Sequence, residues 1–132
     1  MPSTKKSSAA KRTARTKKHV IGNRVKITLD DSRSKERLIL ETPTDQTITL
    51  SSARGTIEIA DSLGNSITLE PAGVTIRAAN KVTINATELK VNATNLVIDS
   101  AISKFNGVVQ CDTVISNSVI SASYTPGAGN LL

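Results

Sequence analysis

Tryptophan is absent, and Phe105, Tyr124, Cys111 and His19 are each the single residue of their kind. A chain of 132 residues with 38% hydrophobic but only 2% aromatic residues lacks the bulky side chains that usually fill a globular core. Its interior should be thin and aliphatic. One cysteine excludes an internal disulfide, the usual staple of small secreted domains, and a small buried hydrophobe is the commoner fate of a free thiol. No apolar run approaches the roughly 18 to 20 residues that span a bilayer, and the basic start is not followed by the apolar stretch of a secretory signal. Synthesis in the cytoplasm without a signal peptide is expected.

Catalytic constellations are lacking too. The lone histidine and lone cysteine lie far apart, and Asp30, Asp31, Glu36, Asp61 and Asp99 fall at the ends or corners of apolar alternations, where acids serve as turns and solvated edges. There is no glycine-rich loop leading into a helix, no zinc-ligand spacing and no nucleophile motif. The expectation is a protein with no catalytic site, no metal and no cofactor, and not an enzyme. His19 reads as a solvated side chain.

Charge is unevenly spread. The formal net charge is +6, yet residues 1–24 hold eight of the 17 basic residues and no acid, leaving nine basic against 11 acidic residues in a body of net −2. Residues 1–24 therefore read as a basic tail, disordered or docking, led by Lys5, Lys6, Lys11, Arg12, Arg15, Lys17 and Lys18. Clustered Lys and Arg can bind polyanions by counterion release, but the tail has no aromatic stacking partners, which disfavours nucleic acid.

What is present is repetition. Short alternations of aliphatic and polar residues return through the middle of the chain: Ser66-Ile67-Thr68-Leu69, Val74-Thr75-Ile76-Arg77, Val82-Thr83-Ile84-Asn85, Leu89-Lys90-Val91-Asn92 and Leu96-Val97-Ile98-Asp99. Their first aliphatic residues are seven or eight positions apart, one strand plus one corner. Period-2 alternation in Val, Ile and Thr predicts strands with one buried face, because successive side chains point oppositely and β-branched residues favour the pleat. So short a strand cannot bury that face alone, so the repeats must stack on one another or on other chains.

In chain order, Val25–Leu29, Leu38–Glu41, Thr47–Leu50 and Thr56–Ala60 read as earlier, more widely spaced strands. Pro43 and Asp45 mark a corner at 42–46, Gly55 a second, and Asp61-Ser62-Leu63-Gly64-Asn65 a third. The organisation expected is a basic tail (1–24), a wider β base (25–65), a regular shaft (66–104) and a tip or cap (105–132). Asn85-Ala86-Thr87 and Asn92-Ala93-Thr94 have the form of glycan acceptors but sit on the repeat, as corner or outer-face residues.

The run Asp61–Leu69, then Gly73-Val74-Thr75-Ile76-Arg77-Ala78, the tandem Val-Thr-Ile-Asn-Ala units and the ending from Phe105 to Asn130 resemble the central spike proteins of contractile injection machines. The likeness is to the carboxy-terminal β-helix of valine-glycine-repeat and phage baseplate spikes, over roughly residues 25–130. It implies an all-β fold in which three copies intertwine into an elongated homotrimeric β-helix, a β-prism needle. Its core would be Ile67, Leu69, Val74, Ile76, Val82, Ile84, Leu89, Val91, Leu96 and Ile98. It further implies a hub protein at the N-terminal end, a PAAR-type tip protein at the other, and transient contact with a target cell envelope. The particle would be a phage tail or injection machine assembled in a bacterial cytoplasm. Full-length spikes carry hub and barrel domains before the shaft, for which this chain has no room, so it reads as a split or minimal spike with the basic tail as its dock. Some phage spikes bind iron through a His-x-His motif that this chain lacks. The residues alone also fit a different protein, a single-chain β-solenoid scaffold or filament of bactofilin type whose tail touches membrane or nucleic acid.

Overall fold

The computed structural model describes residues 16–21, 24–123 and 125. Two units are distinguished, Met1–Thr87 and Glu88–Leu132. The first holds seven strands: β1 (Thr16–Ile21), β2 (Val25–Asp30), β3 (Arg37–Glu41), β4 (Thr47–Ser51), β5 (Thr56–Ala60), β6 (Ser66–Glu70) and β7 (Gly73–Arg77). Each pairs antiparallel with the next, giving one sheet in chain order from β1 to β7. No helix occurs among the described residues. The second unit contains no strand among its described residues.

The connections are short and locally satisfied. At the Thr42–Gln46 corner the Thr42 N–H donates to the Gln46 carbonyl at 3.0 Å, and Asp45 takes a positive φ of 59°. Asp61–Asn65 closes in the same way, Asp61 N–H to Asn65 carbonyl at 3.1 Å, with Gly64 at φ 92° in the equivalent position. Gly55 ends the Ser52–Gly55 turn at φ 61°, where a side chain would crowd the next carbonyl. Between β6 and β7 two residues suffice, Pro71 and Ala72.

Register turns the alternation into rows. Ile27, Leu40, Ile48, Ile59, Ile67 and Ile76 stand opposite one another across six strands, and so do Leu29, Leu38, Leu50, Ile57, Leu69 and Val74. Because residues two apart share a face, all twelve lie on one side of the sheet. Thr28, Ile39, Thr49, Glu58, Thr68 and Thr75 form the central row of the other side, which is polar except for Ile39.

One reading of the sequence is corrected. Thr16–Ile21, read as part of a disordered tail, is an edge strand: it pairs with β2 in register from Thr16↔Asp30 to Ile21↔Val25, so ladder hydrogen bonds order a stretch whose composition does not. The ladder of paired strands continues through β6 and ends at Arg77. Beyond Arg77 no described residue is in a strand, although Val82–Asn85, Leu89–Asn92 and Leu96–Asp99 carry the alternation of β6 and β7. Their backbones find no ladder partner among the described residues. A single-chain solenoid would pair each coil with the next, and the described residues beyond Arg77 carry no such pairing.

Candidate assembly interface

The twelve-residue aliphatic face is left uncovered by the described residues. No hydrophobic residue among those described is buried: within the sheet Ile48 is 38% exposed and Leu29 48%, and Val74 and Ile76 on the outer strand β7 rise to 67% and 63%. A groove on this face is lined by Leu40, Ile48, Ile59, Ile67, Ile76 and Val82. Full burial of each such side chain is worth about 1.5–3 kcal/mol, so covering the face stabilises far more than any surface contact in the chain. A contiguous apolar surface of this size marks an interaction site.

Of the ten core candidates, the structure places Ile67, Leu69, Val74 and Ile76 in those two rows. Val82, Ile84, Leu89, Val91, Leu96 and Ile98 follow the sheet in sequence, each more than half exposed, and no strand pairing within the chain joins them to the sheet or to one another. The candidate list omitted Ile27, Leu29, Leu38, Leu40, Ile48, Leu50, Ile57 and Ile59, which extend the same rows. Their alternation was visible; the register that aligns them with Ile67 and Leu69 was not. Of the basic residues, Lys17 and Lys18 are on β1, while Lys5, Lys6, Lys11, Arg12 and Arg15 lie outside the described residues.

The polar groups that shape the face sit at its corners. Asp30 is buried and accepts hydrogen bonds from the Ser32 N–H at 3.0 Å and the Ser32 hydroxyl, with Arg37 Nε 3.8 Å from its other oxygen. The Ser32 bonds chiefly, then the charges of Arg37 and Lys35, hold its carboxyl below the ordinary value against the opposing effect of burial. Asp61 accepts from Asn65 Nδ2 at 2.7 Å and from the Asn65 and Leu63 N–H groups at 2.9 Å. Those donors, the Asn65 side chain first, lower its carboxyl too. Both acids serve turns. Among the described residues no group of three or more His, Cys, Asp or Glu could hold a metal ion, and Cys111 is an exposed free thiol.

The described residues thus present a one-sided β-meander with an uncovered aliphatic face, followed by alternating segments that have no strand partner among them. Residues 37–97 match the family described as the phage baseplate V C-terminal trimerisation domain, a likeness to baseplate spike proteins over that segment of the chain. The match begins at β3 and takes in nine of the ten core candidates, all but Ile98. The family's description supports association into a homotrimer and with a baseplate. Comparison with curated proteins gives no match.

Proposed function

We propose that three copies of this chain form the spike at the centre of a contractile baseplate, which pierces a target cell envelope when the sheath contracts. The observation that carries the reading is the combination of an uncovered aliphatic face with alternating segments beyond Arg77 that have no ladder partner among the described residues. Three copies intertwined as a β-helix would turn the apolar rows inward, pair the segments from Val82 onward between chains and leave no open sheet edge. Continuous interchain hydrogen bonds would then give the stiffness that piercing requires. The role is mechanical, without catalysis.

The C-terminal segment suits the leading end. From Phe105 to Ser123 the only charged side chain is Asp112, and Val108, Ile115 and Ile120 are 96–98% exposed in the single chain. A surface so poor in charge loses little on entering a bilayer, where a charge at mid-depth costs about 2.5–3.5 kcal/mol. A PAAR-type protein would cap this end, and the basic N-terminal tail would dock on a separate hub.

Sedimentation equilibrium should return three times the chain mass, in a species that resists dissociation by detergent. A monomer sinks the proposal, and open-ended polymers would favour a filament instead. For the piercing step, Ile115→Asp with Ile120→Asp should leave the trimer mass unchanged and lower the penetration of target envelopes by assembled particles; unchanged penetration would count against the assignment of the leading end.

A further inference from the structure

We infer that the Asp61–Asn65 corner ends the intrachain sheet and commits the rest of the chain to pairing with other copies. The inference rests on the trimeric reading above and assigns its topological decision to particular residues.

The sequence permits another outcome. Pairing Ile76 with Val82 and Val74 with Ile84 would extend the apolar rows by an eighth strand, on the edge of β7 that no strand of its own chain occupies. The connection this requires is Arg77–Lys81, five residues, the same length as the Thr42–Gln46 and Asp61–Asn65 corners that close the β3–β4 and β5–β6 hairpins. Those two corners share a pattern: the first residue's N–H donates to the fifth residue's carbonyl, and the fourth residue takes a positive φ, 59° at Asp45 and 92° at Gly64. The fourth residue of Arg77–Lys81 is Asn80, one of the few side chains that tolerate that region. Loop length, register and turn chemistry all favour a hairpin that does not form.

What differs is a bond from outside the loop. Ala79, third in the sequence Arg77–Lys81, donates its N–H to the side-chain oxygen of Asn65 at 2.9 Å. The chain bends at Ala79 and Asn80, and Asn80 is not among the described residues with positive φ. Asn65 is itself held at every polar atom: its Nδ2 on Asp61 Oδ2 at 2.7 Å, its N–H on Asp61 Oδ1 at 2.9 Å, and its carbonyl on the Asp61 N–H at 3.1 Å. Gly64 brings the corner close enough that a Cβ there would lie 3.8 Å from the Ala79 Cβ. Thus Asp61 fixes Asn65, Asn65 takes the Ala79 N–H, and the backbone is turned out of the path that would return it to β7. Loop-closure entropy for Arg77–Lys81 equals that of the two five-residue corners that do close hairpins, so it does not account for the missing one; local hydrogen bonds do. With the return blocked, the donors and acceptors of Val82–Ala86 remain for strands of other copies.

The test compares the full wild-type chain with Asn65→Ala, with Asn65→Ala combined with Asn80→Gly, and with Ala79→Pro, which deletes the same bond from the donor side. After refolding from denaturant, trimer formation is followed by native mass spectrometry and amide exchange is read in β3–β5 and in Val82–Ala86. Loss of the bond should slow trimer formation about tenfold, the effect of one to two hydrogen bonds. In the double variant, monomers should accumulate with Val82–Ala86 protected. Protection of β3–β5 reports that the sheet has folded in each variant. Trimer formation at the wild-type rate in all three overturns the inference while leaving the trimer standing. A monomeric wild type overturns the trimer itself.

Discussion

At the scale of single residues, the two faces of one short segment should respond oppositely to charge. Ile84 and Thr83 are neighbours on Val82-Thr83-Ile84-Asn85, whose alternation places them on opposite sides. Ile84→Lys should abolish trimer formation, because an unpaired ammonium in an aliphatic interior has no compensating partner, whereas Thr83→Lys should leave the mass in solution unchanged. Size-exclusion chromatography with light scattering separates the outcomes, and equal behaviour of the two variants would contradict the facing assigned to the segment. Gly55 tests the backbone instead. A methyl group there would meet Pro71 Cγ at 3.5 Å, an ordinary contact, so Gly55→Ala should cost about 1–2 kcal/mol purely from holding an L-residue at φ 61°, read as a lower denaturation midpoint.

The corner acids give the residue scale a pH dependence. Asp30 and Asp61 both have carboxyls lowered from an ordinary value of 3.8 by the hydrogen bonds they accept. Such a group binds protons more weakly folded than unfolded. Its stabilising contribution is therefore complete above about pH 4 and is lost as pH falls through the lowered folded value. Denaturation midpoints should be flat from neutral pH down to about pH 5 and drop below pH 4. The variant Asp30→Asn with Asp61→Asn should be less stable at pH 7 and show a shallower acid drop; an unchanged drop would place the acid sensitivity elsewhere.

At the scale of elements, the strands from β2 to β7 were legible because each depends on local pattern: apolar-polar alternation in β-branched residues, bounded by Pro43, Asp45, Gly55 or Gly64. Two things were not. The strand β1 carries Lys17, Lys18 and His19, a composition that argues for a solvated tail, and only its register against Val25–Asp30 makes it an edge strand. Whether an alternating segment finds its partner in the same chain is also invisible to pattern, since Val74–Arg77 and Val82–Asn85 read alike yet only the first has an intrachain partner. That distinction lies in the bond that the Asn65 side-chain oxygen accepts from the Ala79 N–H, fourteen residues further along the chain. Likewise the apolar face was legible from Ile67 onward as a spaced repeat, but its extension back to Ile27 depended on registers set by loops of two to six residues.

At the scale of the whole molecule, stability and assembly should be one quantity. A monomeric fold has a melting temperature independent of concentration, whereas three folded chains that unfold to three separate ones follow mass action, and melting rises with concentration. The absence of any buried hydrophobic residue among those described makes the second behaviour the expectation here. The twelve aliphatic side chains of the sheet are only partly buried in the single chain, and cover by other copies would complete their burial. Refolding should be of higher than first order in chain concentration, slow when dilute, because the segments beyond Arg77 have no strand partner among the described residues and the costly step is bringing chains together. Calorimetry across a hundredfold range of concentration, after confirming that unfolding is reversible, measures this directly. A midpoint that does not move would mean that each chain covers its own face, and both the trimer and the role of Asn65 would fall with it.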